Sequence, residues 1–165
     1  MGQKAKPEID FDAEIKKYNF KNKVKIHFHQ IDAIGVLYNI QYLYLFENAR
    51  LDYLQNLGLI LTLNDLITQF PVMTVSHHID YINSAEFGDD VEIYTRVKSI
   101  SNSSLIFENI AVKNTNVLLA KSSTVYVYID ALTKKSKPIP EEIKYLFLSF
   151  EKGNIEGNIE TNIKN

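Results

Sequence analysis

Cysteine is absent from the 165 residues of this sequence. The chain therefore cannot form a disulfide, a thiolate zinc site or an iron–sulfur cluster, and it has no cysteine nucleophile. A protein without disulfides suits a reducing compartment, so we expect a cytoplasmic location. Basic residues are not in excess either, since 18 Lys and Arg stand against 20 Asp and Glu. Nucleic-acid binding needs a concentrated positive field, and we expect no nucleic-acid partner.

Glycine is scarce, with six residues scattered along the chain. None of them forms the G-x-G-x-x-G or Walker pattern that cradles phosphates, and no serine lies in a G-x-S-x-G context. Nucleotide cofactors and a serine-hydrolase elbow are therefore disfavoured. Long apolar runs are also missing, because stretches such as residues 57–63 stop far short of the roughly 20 residues that span a bilayer. Residues 1–17 lack the apolar core of a secretory signal, so we expect neither export nor a membrane span.

What the chain does contain is an ordered series of secondary-structure patterns. Alternation of apolar and polar residues over residues 24–28 predicts a first strand with one solvated face. Apolar residues three and four apart predict a long, mostly buried helix over residues 40–57, with Asn39 near its start and Gly58 at its end. β-Branched and aromatic residues then dominate four runs, whose short links favour antiparallel pairing. These runs are residues 72–82, 90–100, 104–113 and 117–129.

Two shorter helices complete the pattern. Residues 63–70 predict one or two helical turns capped by Asn64, and residues 141–151 have helical periodicity after the last strand. This order of elements predicts an α+β domain in which one curved antiparallel sheet wraps a single long helix. The predicted organisation is an N-terminal extension over residues 1–20, a folded domain over residues 21–150 and a disordered tail over residues 151–165.

The four histidines are the first candidates for metal ligands or bases. His27 and His29 share one face of the predicted first strand, with Asp32 as the one further ligand nearby. We therefore expect a solvated strand face there rather than a metal site. His77 and His78 are adjacent on a predicted strand and point to opposite faces, so they cannot share an ion, although one of them could line a pocket. We expect no metal.

The most informative segment is the link between the first strand and the long helix. Asp32 lies in this link, followed by Gly35 and, seven residues after Asp32, by Asn39 at the predicted helix start. Asp32 is either a turn residue that bonds its own backbone or a catalytic carboxylate. In the second interpretation, the unpaired N–H groups of the helix N-terminus hold an oxyanion while the carboxylate attacks or activates water. That arrangement suits acyl transfer.

The same residues resemble a known family. The run Asp32-x-x-Gly35-Val36-x-Tyr38-x-x-x-Tyr42-x-x-x-Phe46-Glu47-x-Ala49-Arg50 is similar to the signature of the 4-hydroxybenzoyl-CoA thioesterase family and related bacterial acyl-CoA thioesterases. The similarity continues through Tyr81 and residues 85–89 to residues 137–140. It implies the hot-dog fold, in which a five- or six-stranded antiparallel sheet wraps one long central helix. It also implies hydrolysis of an acyl-CoA or acyl carrier protein thioester without a cofactor.

The resemblance implies a role for each matching residue. Asp32 matches the catalytic aspartate, and the backbone N–H of Asn39 matches the oxyanion donor. Glu47 and Arg50 are implied to orient the helix. Many family members carry His where this chain has Asn39, so a backbone oxyanion role is retained while a side-chain proton shuttle is lost. The implied substrate-binding residues are Gly35, Val36, Tyr38 and Tyr42.

Two other functions are alternatives to thioester hydrolysis. A hot-dog dehydratase or hydratase would use a His near the helix, where this chain has none. A non-catalytic acyl-CoA-binding regulator would carry a DNA-binding appendage, for which residues 1–20 are too short.

An open sheet leaves an edge strand with unpaired backbone groups, and the resemblance implies a homodimer or a dimer of dimers. In that assembly Asp32 of one chain is expected to face the Asn39 helix end of another.

Overall fold

The computed structural model describes residues 11–156 as an antiparallel sheet packed against one long helix. The helices are α1 (Phe11–Ile15), α2 (Gln41–Asn56), α3 (Leu63–Thr68) and α4 (Glu141–Glu151). The strands are β1 (Phe20–Lys25), β2 (Val72–Tyr81), β3 (Asp90–Ile100), β4 (Ser104–Lys113) and β5 (Val117–Tyr128). The predicted α+β class, the long helix and the four later strands are confirmed.

The five strands form one sheet in the order β1-β3-β4-β5-β2. All four neighbouring pairs are antiparallel. The short links predict this pairing for β3 with β4 and for β4 with β5. The prediction that the link after β2 makes β2 a neighbour of β3 is wrong, because β2 pairs with β5 instead. β2 follows α3 and returns to the far side of β5, where it is the edge strand. Within residues 11–156, one long side of β2 is therefore unpaired, and most residues of this strand are exposed.

Helix α2 begins and ends for local reasons. Its N-cap residue is Ile40 rather than the predicted Asn39, and no side chain caps it. At the other end, Gly58 adopts a φ of +70°, a conformation that costs glycine little. The N–H of Leu59 then donates to the Leu54 carbonyl at 3.1 Å, and the N–H of Gly58 donates to the Gln55 carbonyl at 2.9 Å. This pair of bonds is a Schellman motif, which satisfies the last carbonyls of the helix.

The core lies between α2, the concave face of the sheet and α4. Tyr53 of α2 is fully buried, and its ring meets Phe107 and Phe150 edge to face at centroid distances of 5.5 and 5.4 Å. Its hydroxyl donates to Glu151 Oε1 at 2.6 Å. Aromatic pairs of this kind contribute beyond their buried area, by about 0.5–1.5 kcal/mol each. They hold α2 in a fixed position against the sheet.

The first strand ends earlier than its sequence pattern predicts. β1 stops at Lys25, and residues Phe28–Gln30 form a single 3-10 turn. The prediction that His27 and His29 lie on a strand face is therefore wrong. Their rings stack on each other instead, 5.8 Å apart. The cap of α3 also differs, because Thr62 rather than Asn64 accepts a hydrogen bond from the backbone of Asp65.

Parts of both predicted terminal segments are structured. Within the N-terminal extension, α1 packs Phe11 and Ile15 against the buried cluster around Tyr94. Within the tail that was predicted to be disordered, Glu151 is a buried residue of α4 and Glu156 pairs with Arg96 at 2.7 Å. That part of the tail prediction is corrected, since these contacts fix the chain to β3. Residues 1–10 and 157–165 lie outside the described residues.

Candidate active site

Asp32 lies in a tight loop whose backbone is closed by its own hydrogen bonds. The N–H of Asp32 donates to the Val36 carbonyl at 2.9 Å, and the N–H of Gly35 donates to the Asp32 carbonyl at 3.1 Å. Gly35 has a φ of +88°, which explains a glycine at this position. Leu37 then donates to the carbonyl of Ala85 at 2.8 Å and ties the loop to the segment after β2. Backbone hydrogen bonds therefore fix the position of Asp32, both within the loop and to the segment after β2.

The Asp32 carboxylate itself stabilises the turn. Its Oδ1 accepts the N–H of Ile34 at 2.9 Å and that of Val36 at 3.3 Å. The interpretation of Asp32 as a turn residue that bonds its own backbone is thus confirmed. Among the described residues no group donates to Oδ2. One oxygen fixes the loop, and the other can act on a substrate.

A depression of about 370 Å³ brings most of the predicted site residues together. Its far wall is the end of β2 and the residues that follow, 81–84. Gly35 does not line the depression, because it lies in the turn that follows Asp32. The predicted residues that line the depression are Asp32, Val36, Tyr38, Asn39 and Tyr42.

Asp32 and Asn39 line this depression within a single chain. The expectation that Asp32 faces the Asn39 helix end of another chain stays a prediction. The loop closed by the Ile31–Leu37 bridge folds back on itself and places both residues on the same side. A second chain is not needed to bring them together.

The N-terminus of α2 supplies backbone donors at this depression. The N–H groups of Gln41, Tyr42 and Leu43 are occupied by local carbonyls. Within residues 11–156, the N–H groups of Asn39 and Ile40 make no such bond. Unpaired N–H groups at a helix start carry partial positive charge and attract an oxyanion. The side chain of Ile40, the N-cap residue, is a hydrocarbon, so it cannot accept a hydrogen bond from these N–H groups.

Two tyrosines form the aromatic side of the depression. The rings of Tyr42 and Tyr81 meet edge to face at 5.5 Å, and the hydroxyl of Tyr81 donates to the Asn39 carbonyl at 3.1 Å. Burial, together with the neighbouring Tyr81 and Asp89, raises the pKa of Tyr42 to about 12. Its phenol is therefore neutral at physiological pH. The two rings therefore form an aromatic wall, and the hydrogen bond from Tyr81 to Asn39 fixes this wall relative to the start of α2.

A buried polar cluster further along α2 was not foreseen. Arg50 is 1% exposed, and it donates to the Tyr126 hydroxyl at 2.9 Å and to Asn109 and Thr124 at 3.2 Å each. His77 of β2 is hydrogen-bonded to the same Thr124 at 2.9 Å. Burial and the positive charge of Arg50 lower the pKa of His77, so its imidazole is neutral at physiological pH. Glu47 and Arg50 are three residues apart, a spacing that allows an ion pair on a helix, but no local pattern indicates the contacts of Arg50 across the sheet.

Within residues 11–156, no group of three His, Cys, Asp or Glu side chains is placed to hold a metal ion. Over the same residues, no helix is both long and apolar enough to cross a membrane.

Comparison with known proteins identifies the family. The family model described as the thioesterase-like superfamily matches residues 26–147. The chain belongs to this superfamily. Among the curated relatives, the acyl-CoA thioesterase YbgC of Haemophilus influenzae is 30% identical over 132 residues, which cover 78% of this chain and 93% of that protein. The matched region begins at Ile26, directly after β1, and includes the whole Asp32 loop and the start of α2.

Solved structures share the fold of this thioesterase-like protein. A thioesterase from Thermus thermophilus, solved with coenzyme A and Zn, superposes with a TM-score of 0.72 at 23% identity, covering 83% of this chain and 98% of that one. A 1,4-dihydroxy-2-naphthoyl-CoA thioesterase from Synechocystis superposes with a TM-score of 0.70 at 21% identity, covering 78% and 94%. These likenesses confirm the hot-dog fold, here with five strands.

Proposed function

We propose that this protein hydrolyses acyl-CoA thioesters, with Asp32 as the catalytic carboxylate and the Asn39 N–H as the oxyanion donor. The observation that carries the proposal is the placement of both groups in one depression, with Asp32 Oδ2 and the Asn39 N–H unbonded among the described residues. The identity with an acyl-CoA thioesterase over most of both chains supports the substrate class. Val36, Tyr38 and Tyr42, which also line the depression, contact the substrate.

The chemistry needs few groups because a thioester carbonyl is already a good electrophile. Its oxygen accepts the Asn39 N–H, and the positive end of α2 stabilises the negative charge that develops there. Asp32 then either attacks the carbonyl carbon, forming an acyl anhydride that water hydrolyses, or removes a proton from the attacking water. In both routes the carbon–sulfur bond breaks, the thiolate leaves as free CoA after protonation, and the acyl group is released as a carboxylate.

The direct test is a panel of acyl-CoA thioesters of different chain length and aromaticity, read out as release of free thiol. Acyl carrier protein thioesters form a second arm, because both carriers end in the same phosphopantetheine thiol. We place the protein in the cytoplasm, where such substrates are made and where a chain without cysteine is suited. Absence of thiol release across both arms would remove the proposed function.

Hydrolysis is expected to be independent of divalent metal ions. A carboxylate and a helix N-terminus provide the nucleophile or base and the oxyanion site without a Lewis acid. Incubation with EDTA, followed by the thiol-release assay, is expected to leave kcat within experimental error. Loss of activity in EDTA that zinc or manganese restores would contradict this prediction.

The protein is expected to form a homodimer or a dimer of dimers through β2. This strand exposes Met73 and Val75, which are 48% and 59% accessible, beside an unpaired row of backbone groups. Pairing with a second β2 satisfies the backbone and covers the apolar side chains. Sedimentation equilibrium at micromolar concentration tests the prediction. A fully active monomer would contradict it.

A further inference from the structure

Tyr81 is the last residue of β2, and its side chain connects this strand to the start of α2 across the depression. Its hydroxyl donates to the Asn39 carbonyl at 3.1 Å. The proposed chemistry depends on the orientation of Asn39, because the backbone N–H of this residue is the oxyanion donor. The hydrogen bond from Tyr81 therefore acts on the residue that stabilises the reacting carbonyl.

Asn39 has few other constraints. The bond that its carbonyl accepts from the Tyr42 N–H is long, at 3.3 Å, compared with the usual range of about 2.7–3.2 Å. The N-cap residue of α2 is Ile40, whose side chain provides no cap. Within residues 11–156, the Asn39 side chain makes no hydrogen bond. In this part of the chain, the Tyr81 hydroxyl is thus the side-chain group that fixes Asn39.

Tyr81 is itself held firmly at the end of the strand. Directly after it, the N–H groups of Ile82 and Asn83 both donate to the Leu119 carbonyl of β5, at 2.8 and 3.1 Å. The Tyr81 ring packs edge to face on Tyr42 at a centroid distance of 5.5 Å. A tyrosine side chain has only two rotatable angles before its ring, so little freedom is left to the hydroxyl oxygen once the ring is packed.

We propose that Tyr81 is a positioning residue for thioester hydrolysis: its hydroxyl orients Asn39 so that the N–H points at the oxygen of the scissile carbonyl. An oxyanion donor must lie about 2.7–3.1 Å from the place that this oxygen takes in the transition state. A hydrogen bond to a charged oxygen is roughly twice as strong as one to a neutral carbonyl. A displaced donor therefore costs more in the transition state than in the bound substrate. This inference rests on the proposed function.

The first test is Tyr81→Phe, which removes the hydroxyl and keeps the ring. We expect kcat to fall by about 10–30-fold, less than the roughly 10²–10³-fold that follows removal of an oxyanion donor. KM should stay within about twofold, because the lost interaction is made in the transition state. Initial rates of thiol release, measured over a range of substrate concentrations, separate the two constants.

The matched control is Tyr128→Phe. The Tyr128 hydroxyl makes the same kind of bond, to the backbone carbonyl of Gln69 at 3.2 Å, and Tyr128 lies outside the depression. This variant should keep kcat within about twofold of wild type. Thermal unfolding of both variants shows whether loss of either hydroxyl affects the fold, and we expect Tyr81→Phe to be no less stable than Tyr128→Phe.

A second measurement identifies the atom through which Tyr81 acts. The substrates are the acyl-CoA that the wild type hydrolyses best and the dithioester of the same acyl group, in which sulfur replaces the carbonyl oxygen. Sulfur is a weak hydrogen-bond acceptor, so the dithioester gains little from the oxyanion donor. Tyr81→Phe should therefore lower kcat/KM for the dithioester by no more than about threefold, since both changes remove one shared interaction. A purely structural loss would lower kcat/KM for both substrates by the same factor.

The outcomes separate this inference from the proposed function. A Tyr81→Phe enzyme with kcat within about twofold of wild type, a higher KM at constant kcat, or equal losses on both substrates overturns the inference. In each of these cases thioester hydrolysis by the wild type still stands. A wild-type protein that hydrolyses neither acyl-CoA nor acyl carrier protein thioesters overturns both.

Discussion

Replacing Asp32 by Asn is expected to lower kcat for thioester hydrolysis by about 10²–10⁴-fold, the usual contribution of a positioned acid or base. Asn keeps an oxygen in place of Oδ1, so the bonds from Ile34 and Val36 can persist and the loop keeps its shape. The amide cannot act as a nucleophile or remove a proton from water. The fold is therefore retained while the chemistry is lost, as initial-rate measurements and thermal unfolding of the same preparation will show.

The matched control for this variant is Asp52→Asn. Asp52 is an exposed residue of α2 whose carboxylate accepts a hydrogen bond from Asn22 at 2.7 Å, and it lies outside the depression. It is expected to keep kcat within about twofold, since it has no part in the barrier. An Asp32→Asn enzyme that retains more than about a tenth of wild-type kcat, which is about 1.4 kcal/mol of barrier, would exclude the catalytic role.

Local sequence patterns predicted most of the helices and strands, because the residues that specify each of these elements lie within the element itself. The strand over residues 90–100 and the helix over residues 141–151 were predicted at their observed bounds, from alternation and from helical periodicity. The first strand was predicted over residues 24–28, whereas β1 spans Phe20–Lys25. The prediction lies too far along the chain because the alternation of apolar and polar residues continues beyond Lys25, the last residue that pairs with β3. Lys25 pairs with Asp90, where β3 begins. The end of β1 is therefore determined by another part of the chain.

The same distinction applies to the site. Asp32 and Asn39 are seven residues apart, and the turn and helix start between them could be identified from that spacing. The partners of Arg50 on β4 and β5 lie 59 to 76 residues away along the chain. No pattern within α2 reveals which acceptors the sheet will present to it. The hydrogen bonds of Arg50 to the sheet are therefore visible only in the structure.

Replacing Arg50 by Met is expected to lower the free energy of unfolding by about 3–5 kcal/mol, the cost of removing one partner of a buried polar cluster. The variant leaves the Asn109 carbonyl oxygen and the Thr124 hydroxyl buried without their charged donor. The Tyr126 hydroxyl loses its donor as well. For a domain of this size the midpoint temperature should fall by roughly 10 °C. Urea unfolding measures the change, with both proteins at one concentration so that any self-association contributes equally.

Lys23→Met provides the contrast, because Lys23 is a cation in an exposed ion pair. Its side chain is 75% accessible, and its Nζ lies 3.3 Å from Glu92. Water solvates both states of such a pair, so its loss should cost less than about 1 kcal/mol. If Arg50→Met also unfolds within about 1 kcal/mol of wild type, the cluster does not hold α2 against the sheet.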